Sequence, residues 1–470
     1  MVSRGTKKPY LQAIGASATG VTQSCYIVRF KKYVIMLDCG LYQESDIATN
    51  YKKNQELLKK IKPRDIDWII LHECHADHTC LVPALYARGC QAHLIVPYGS
   101  KQFLKLLWED SMKIFTKDCQ KLNNKGIKAT PFYTQDDIDA TLNRIIEIGW
   151  TTIPTSPVSH YLTEDIRLQY YPSNHIINAC QIYLTFQDGY TTHRLSFTGD
   201  VGGPTPQPYV DERMTLPYAS LMLAESTYCQ PKRINKAYDR TKDKEKIEAV
   251  VRDSHRVLIP CFSLGRTQTM MTVLYQLWQE RKLPGDIKVV VDSPLAQKFC
   301  DIWPDDMLWD KVKSWSNLCF IKEWTESQSL QQSNDPCVVI SASGFLTGGR
   351  VVEWLKYILP NRCNTICFCG YSGENNIASQ IRYGDKVINV DGVEVENNAN
   401  IVELVSFSSH ASYEELMDYY GNILTYDKIA LIHGEFEPKV AFANTLQNNL
   451  IAQGKSSRVI AVNADSKIYF

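Results

Sequence analysis

The stretch from His72 to His78 constrains the fold of this 470-residue chain more than any other feature. It holds three histidines and two carboxylates, and it follows the apolar run 68–71, which is typical of a buried strand. A single histidine near a strand end is most often a packing or capping residue, but three within seven positions indicate a ligand cluster. Imidazole and carboxylate groups suit zinc and related metals. The stretch therefore predicts a metal site, and an open coordination position would make that site catalytic.

Further ligands are required, because one loop cannot surround two metal ions. On an extended backbone alternate side chains share a face, so we expect Glu73, His75 and Asp77 to converge. His78 would join them from the next position. The remaining ligands are expected where other apolar runs end. The sequence offers three residues in that setting: His175, Asp200 and His433.

Periodic patterns predict a mixed α/β protein of two domains, since 470 residues exceed what one hydrophobic core usually organises. Two strand-like runs, 25–30 and 33–38, suggest a hairpin, and helical spacing over about 102–122 predicts a long helix. Further strands are expected at 166–171, 181–186 and 194–197. From about residue 245 onward, helices alternate with short apolar strands, which is typical of a parallel α/β unit. Those strands are expected at 257–259, 289–291, 338–340 and 366–368.

Composition excludes several classes of protein. The formal net charge is zero, so the basic footprint of a general nucleic-acid binder is absent from the chain as a whole, which leaves only a local groove for such a ligand. No apolar run approaches the roughly 18 residues that a membrane helix needs, and no signal-peptide core follows Met1. The 15 cysteines are scattered, which favours reduced thiols over a disulfide framework. We expect a soluble cytoplasmic protein without a membrane partner, and no further partner-binding domain after Phe470.

These motifs, in their order along the chain, resemble the metallo-β-lactamase superfamily, whose signature is His-x-His-x-Asp-His. His75, Asp77 and His78 match that signature. Asp38, in the run Leu-Asp-Cys-Gly, matches the preceding motif, which in the family supports the metal ligands from behind. The resemblance implies an α/β fold, the metallo-β-lactamase αββα sandwich.

Later motifs resemble the β-CASP branch of that superfamily, in which a parallel α/β domain is inserted and the active site lies in the cleft between the two domains. Glu225, His410 and His433 match the three motifs of the branch. The resemblance covers almost the whole chain and is closest to the bacterial and archaeal β-CASP ribonucleases. It extends to the endonuclease of pre-mRNA 3′-end processing. The implied domains are residues 1–212 for the first part of the metallo-β-lactamase domain, 213–396 for the β-CASP domain and 397–470 for the second part of the metallo-β-lactamase domain.

Carried over residue by residue, the resemblance implies a two-metal ribonuclease. We expect two zinc ions per chain, with manganese as a possible replacement. One ion would be held by Glu73, His75, His175 and Asp200. The other would be held by Asp77, His78, His433 and the same Asp200, which would bridge the two.

The same resemblance assigns catalysis to Asp77, Glu225 and His410. His410 is the expected proton donor to the leaving oxygen, and Glu225 would orient it and hold it charged. RNA-directed members have histidine at the position of His433, whereas DNA-repair members have an aliphatic residue there. RNA is therefore the expected substrate and partner. Endonucleolytic and 5′-exonucleolytic cutting both stay open, and a homodimer is possible.

A glycine-containing segment before a predicted helix is a candidate site for substrate phosphate, because backbone N–H groups and a cation suit an anion. Its glycines could instead serve only a tight turn. The residues expected to contact phosphate are Ser343, Gly344, Gly348, Gly349 and Arg350.

Glu73 departs from the family signature, which has histidine at that position. Glutamate can bind zinc directly, and its charge would favour a harder ion such as manganese. Alternatively, the first metal position is weakened, because His72 points to the opposite face of an extended strand and cannot replace the missing histidine. The alternative function is then a catalytically silent β-CASP RNA-binding scaffold. A small-molecule hydrolase is a third possibility, which the long cleft implied by Glu225 and His410 disfavours.

Overall fold

The computed structural model of the protein describes residues 8–44, 46–231, 240–304, 306–346, 348–370, 376–422 and 426–470. The strands, in chain order, are β1 (Tyr10–Ala13), β2 (Tyr26–Phe30), β3 (Tyr33–Leu37), β4 (Trp68–Ile70), β5 (His93–Pro97), β6 (Ile145–Ile148), β7 (His160–Thr163), β8 (Ile166–Pro172), β9 (Cys180–Asp188), β10 (Thr191–Phe197), β11 (Leu221–Glu225), β12 (Arg256–Pro260), β13 (Val289–Asp292), β14 (Leu318–Phe320), β15 (Cys337–Ser341), β16 (Thr365–Phe368), β17 (Val387–Val390), β18 (Val393–Glu396), β19 (Asn400–Glu403), β20 (Lys428–Ile432), β21 (Arg458–Ala461) and β22 (Lys467–Tyr469). The helices are α1 (Ile47–Lys60), α2 (Ala76–Thr79), α3 (Val82–Tyr86), α4 (Lys101–Asn124), α5 (Gln135–Leu142), α6 (Arg240–Asp253), α7 (Arg266–Gln279), α8 (Pro294–Asp301), α9 (Met307–Lys313), α10 (Trp324–Gln332), α11 (Arg350–Ile358), α12 (Ile377–Tyr383), α13 (Tyr413–Asn422) and α14 (Phe436–Ala452). Among the described residues, no helix combines the length and the apolar character that crossing a membrane requires.

The chain divides into two compact units. Unit 1 comprises Met1–Ala237 and His410–Phe470, and unit 2 comprises Tyr238–Ser409. The sequence placed the domain boundaries at 212/213 and 396/397. The first boundary of unit 1 lies later than expected because β11 pairs with β10 and β20 of that unit. β19 accounts for the second, because it pairs with β16 of unit 2.

The first sheet of unit 1 has the strand order β22-β1-β2-β3-β4-β5-β6. β2 and β3 form an antiparallel hairpin with Tyr26 opposite Leu37 and Phe30 opposite Tyr33, so the hairpin prediction is confirmed. β3, β4, β5 and β6 run parallel to one another. The carboxyl ends of these four strands therefore meet at one edge of the sheet.

The second sheet of unit 1 has the strand order β21-β20-β11-β10-β9-β8-β7. The strands predicted at 166–171, 181–186 and 194–197 are present as β8, β9 and β10. β10, β11 and β20 are parallel neighbours. The residues that end or directly follow these strands consequently lie side by side, and they include Asp200, Glu225 and His433.

An apolar layer fills the space between the two sheets of unit 1. Alternate residues of β8, Ile166, Leu168 and Tyr170, are fully buried in this layer together with Val28 and other side chains of the first sheet. Full burial of such a side chain contributes roughly 1.5–3 kcal/mol. The opposite face of the second sheet packs against α13 and α14, with Met222 of β11 at the centre of that layer. The predicted sandwich of two sheets between helices is confirmed.

Unit 2 contains a parallel sheet with the order β14-β13-β15-β12-β16-β19, and a separate antiparallel hairpin formed by β17 and β18. The four strands predicted in this part of the chain are present as β12, β13, β15 and β16. β12, β13 and β15 are buried along their whole length, as is typical of parallel sheets covered on both faces. The predicted parallel α/β architecture is confirmed.

Candidate metal centre

The loop that follows β4 carries the histidines and carboxylates of the predicted metal site. Its backbone is extended at His75 (φ −64°, ψ 157°), the residue that directly precedes α2. Asp77 and His78 already lie in α2, so the predicted extended alternation over residues 73–78 is wrong beyond His75. The helical turn brings these two sequence neighbours into one ligand cluster, whereas an extended backbone would have turned them to opposite faces.

A first cluster consists of Asp77, His78, Asp200 and His433, whose ligand atoms all lie within 4.8 Å of one another. His78 Nε2 is 3.3 Å from Asp77 Oδ2 and 3.3 Å from Asp200 Oδ2. His433 Nε2 is 3.5 Å from Asp77 Oδ2. Two imidazoles and two carboxylates form a donor set that suits zinc and its neighbours among the transition metals.

A second cluster consists of Glu73, His75 and His175, again with ligand atoms within 4.8 Å of one another. His75 Nδ1 is 3.0 Å from Glu73 Oε1, and His175 Nε2 is 3.6 Å from Glu73 Oε2. Asp200 Oδ2 lies 3.7 Å from His175 Nε2. Asp200 therefore borders both clusters, and the Glu73 side chain is directed into the second one.

Polar atoms without hydrogen bonds test whether these residues fit metal ions. A buried polar atom that is left without a partner costs about 1–3 kcal/mol, so folded proteins rarely retain several together. In the part of the chain that the structure describes, such atoms of the two clusters include Glu73 Oε2, His78 Nε2, Asp200 Oδ1 and His433 Nε2. Cations bound in the clusters would satisfy them, so the donor set fits bound metal.

Electrostatics keep the carboxylates of the clusters ionised. Burial raises the pKa of Asp200, but the charges of His433 and His78 outweigh burial and hold that pKa well below its ordinary value. Burial lowers the pKa of His78, but the carboxylates beside it, Asp77 first, raise it well above its ordinary value. At His175 burial dominates and lowers the pKa to about 3. A neutral imidazole of this kind can donate its lone pair to a metal.

Asp38 and His72 lie behind the clusters and hold them in place. Asp38 Oδ2 is 3.0 Å from His78 Nδ1 and 2.9 Å from His72 Nδ1, and all three side chains are buried. The backbone N–H of Asp200 donates a hydrogen bond to His72 Nε2 over 3.1 Å. Sequence reasoning identified Asp38 in a supporting position but missed the hydrogen bond to His72. The only available signal was a histidine directly before the ligand loop.

The buried Glu225 and the half-buried His410 form a pair beside the clusters. Glu225 Oε1 lies 3.1 Å from His410 Nδ1 and accepts a hydrogen bond from the backbone N–H of Val201. Glu225 Oε2 accepts a hydrogen bond from the backbone N–H of Thr227 over 2.9 Å. These bonds fix the carboxylate, which in turn holds the imidazole. The other ring atom, His410 Nε2, lies 3.8 Å from Asp200 Oδ2.

Thr227 is a second residue that sequence reasoning missed. Its Oγ1 lies 3.0 Å from His433 Nδ1, which leaves His433 Nε2 facing the first cluster. Metal-binding histidines usually have their second nitrogen held by such a partner. Thr227 follows Glu225 by two residues, so one short segment after β11 holds both His410 and His433.

Left-handed backbone recurs around the clusters. Three non-glycine residues there have positive φ: Asp38 (58°), Asn174 (57°) and His433 (49°). Such conformations cost of order 1–3 kcal/mol each and are concentrated at functional sites. Gly199 also has positive φ, and a Cβ at that position would lie 2.0 Å from Cδ2 of His72. The chain therefore needs glycine directly before Asp200.

The residues predicted to contact phosphate lie in unit 2. Arg350 begins α11, and its Nη1 donates to Asp292 Oδ1 over 2.7 Å and to the Ile321 carbonyl oxygen. Gly349 has a φ of 82°, and a Cβ there would lie 2.6 Å from the carbonyl oxygen of Ala342. Both residues thus have structural roles in their own unit, and phosphate binding by this segment stays a prediction.

Three family models match the chain in succession. Residues 18–166 match the metallo-beta-lactamase superfamily, residues 267–381 the Beta-Casp domain, and residues 394–453 the Zn-dependent metallo-hydrolase RNA specificity domain. The chain belongs to the β-CASP branch of the metallo-β-lactamase superfamily. The expected resemblance is thereby confirmed. In this β-CASP protein, Asp38 and both metal clusters are formed within unit 1.

Several curated relatives are similar to this β-CASP protein over most of its length. A ribonuclease of Thermus thermophilus is 24% identical and is matched over 92% of this chain and 94% of its own. An RNase J-like protein of Methanocaldococcus jannaschii is 23% identical, with the same coverage of 92% and 94%. An endoribonuclease of Eremothecium gossypii is 24% identical over 91% of this chain and 55% of its own. A solved structure of a protein of unknown function from Enterococcus faecalis is similar in fold, with a TM-score of 0.55, 13% identity and coverage of 99% and 100%.

Proposed function

We propose that this β-CASP protein is a metal-dependent ribonuclease that hydrolyses RNA phosphodiester bonds with two bound metal ions. The observation that carries the proposal is the position of Asp200, which borders two clusters of buried ligands. The names of the relatives and the matching RNA specificity domain support RNA as the substrate. Zinc is the first candidate metal, and manganese is the alternative because of Glu73.

Each cluster would hold one ion, with Asp200 between them. Asp77, His78 and His433 of the first cluster would bind one ion, and Glu73, His75 and His175 of the second cluster would bind the other. When bound, two such ions neutralise the charge of a phosphodiester and provide a nucleophile at neutral pH. Asp38 and His72 contribute by fixing His78 and Asp200, because ligands held by a second hydrogen bond lose less freedom on binding.

His410 would act as the proton donor to the leaving oxygen. Its Nδ1 is held by Glu225 Oε1, so the proton available for transfer is the one at Nε2. Asp77 would take part in both binding and catalysis. Zinc stoichiometry, the cutting mode and the position of the cleavage site relative to unit 2 stay predictions.

Cleavage of single-stranded RNA labelled at the 5′ or the 3′ end tests the proposal. The native chain, Asp200→Ala and Glu73→His are compared with and without a chelator, and metal content is measured for each. Asp188→Ala is the matched control, because Asp188 lies at the opposite end of the β9–β10 hairpin from Asp200 and pairs with Lys31 there.

The proposal expects about two metal equivalents per chain and cutting that chelator abolishes. Asp200→Ala should lose both properties, whereas Asp188→Ala should keep them. The two end labels would separate endonucleolytic from 5′-exonucleolytic products. A native chain that binds no metal and cuts no RNA, with activity gained in Glu73→His, would overturn the proposal in favour of a silent RNA-binding scaffold.

A further inference from the structure

The turn after β5, formed by Tyr98, Gly99 and Ser100, lies directly beside the metal clusters. β4 and β5 are parallel neighbours, so the ligand loop and this turn leave the sheet at the same edge. The Cys74 thiol, between two residues of the second cluster, lies 3.9 Å from the carbonyl oxygen of Ser100. A Cβ on Gly99 would lie 3.0 Å from Nδ2 of Asn178, which belongs to the loop that carries His175.

The backbone of this turn is fixed on several sides. The N–H of Tyr98 donates to the carbonyl oxygen of Ile148 over 2.9 Å, and the N–H of Ser100 donates to that of Pro97 over 3.1 Å. Gly99 has a left-handed φ of 80°, which few other residues adopt. Contacts with β6 and with the ligand loops therefore fix the backbone from which the Tyr98 side chain extends.

The Tyr98 side chain is 66% exposed even though its backbone is held. With the described residues the Tyr98 side chain forms neither a hydrogen bond nor a ring contact.

We propose that Tyr98 is a stacking platform for a nucleobase of the RNA next to the phosphate that is cut. This inference rests on the proposed function. A base offers a flat π-face that an exposed tyrosine can cover, and such stacking tolerates any base. It also adds affinity without a further positive charge, in a chain whose net charge is zero. The single exposed ring suits one base better than a protein surface, which would need a larger apolar patch.

Steady-state cleavage of a short single-stranded RNA by Tyr98→Ala, Tyr98→Phe and the native chain tests this inference. Loss of stacking should raise KM by about 5- to 150-fold in Tyr98→Ala and leave kcat nearly unchanged. Tyr98→Phe should stay within about 2-fold of the native chain, because stacking does not need the hydroxyl group. Tyr190→Ala is the matched control: Tyr190 is fully exposed, but it precedes β10, whose other end leads to Asp200 roughly 20 Å away.

Single abasic substitutions in the RNA locate the stacked base. One abasic position next to the cut should weaken binding to the native chain, and the same position should have no further effect on Tyr98→Ala. An unchanged KM in Tyr98→Ala, or an equal loss in Tyr98→Phe, would overturn the stacking role while the ribonuclease proposal stands. A native chain that neither binds nor cuts RNA would instead overturn the proposed function, and the subsite with it.

Discussion

His72 Nε2 accepts a hydrogen bond from the backbone N–H of Asp200 over 3.1 Å. Because this nitrogen is the acceptor, the proton of a neutral His72 ring resides on Nδ1, which lies 2.9 Å from Asp38 Oδ2. One buried imidazole thus connects the carboxylate that holds His78 to the residue that borders both clusters. Glu73 and His72 therefore have different roles. The Glu73 carboxylate faces the clusters, and the His72 imidazole supports them from behind.

Replacing His72 by leucine should weaken metal binding about 10- to 100-fold, because both Asp38 and the Asp200 backbone lose a hydrogen-bond partner. Metal release to a competing chelator measures the effect without any RNA. His93→Ala is the control, since His93 is exposed and begins β5 at the end away from the ligand loop. Equal metal affinities for His72→Leu and the native chain would show that this connection has no role in binding.

Gly199→Ala should destabilise the protein by about 2 kcal/mol or more and lower its metal content, because the new Cβ would meet the His72 ring. Gly189→Ala is a matched control: Gly189 also has positive φ, but nothing lies within 4 Å of a Cβ there. The backbone conformation alone should cost Gly189→Ala roughly 1–2 kcal/mol. Unfolding midpoints of the two variants separate the clash from the backbone strain, and similar midpoints would contradict the clash.

Glu73→His should shift metal preference towards zinc, because imidazole replaces a carboxylate oxygen, which suits manganese. Glu73→Gln, which keeps the shape but removes the charge, should weaken binding of both metals at the second cluster. Metal analysis after loading with equal amounts of zinc and manganese gives the ratio for each variant. An unchanged ratio in Glu73→His would mean that Glu73 does not contact the ion.

His410→Ala should lower kcat for RNA about 10²- to 10⁴-fold while metal content stays at the native level. A phosphodiester with a nitrophenolate leaving group needs no proton, so its hydrolysis should be nearly insensitive to the same substitution. Glu225→Gln should show the same pattern more weakly, because it acts through His410. If His410→Ala loses metal, or slows both substrates equally, His410 is not the proton donor.

Lys439 predicts a pH-dependent stability. It is fully buried in α14, where its Nζ donates a hydrogen bond to the carbonyl oxygen of Ala18. Burial lowers the pKa of Lys439 to about 8, from an ordinary value of 10.5. Between these values the unfolded chain holds a proton that the folded chain has lost, so this residue's contribution to stability rises with pH.

Relative to Lys439→Met, the native chain should therefore gain up to about 3 kcal/mol of unfolding free energy between roughly pH 8 and pH 10.5. Urea unfolding at several pH values measures the difference, and groups that titrate equally in both proteins cancel. Lys52→Met, at an exposed position of α1, is the matched control for removing a lysine. A flat difference for Lys439→Met would mean that Lys439 stays charged in the fold.

Strands and helices were largely predictable because their patterns are local. The hairpin of β2 and β3 and the long helix α4 follow from side-chain periodicity alone, which depends only on neighbouring residues. The extended path through Asp77 and His78 was wrong because a four-residue helix leaves too few positions for a periodic pattern. Tertiary contacts, not local preference, decide such a short element.

The residue types of the site were predictable, but its hydrogen bonds were not. His75, Asp77 and His78 stand out because chemistry-bearing residues crowd into one short stretch. Thr227 and the acceptor role of His72 depend on residues more than a hundred positions away in sequence, Asp200 for His72 and His433 for Thr227. Positive φ at Asp38 and Asn174 has only a weak sequence signal, because aspartate and asparagine adopt it more often than other non-glycine residues but usually do not.

The order of the strands in the second sheet has a consequence during translation. β20 pairs with β11, yet all of unit 2 is synthesised between the two strands. A growing chain therefore exposes the edge of β11 until β20 emerges from the ribosome, and it lacks His433, which directly follows β20, for the same period. Under the proposed function, a chain that is still being synthesised cannot cut RNA, including the mRNA that encodes it.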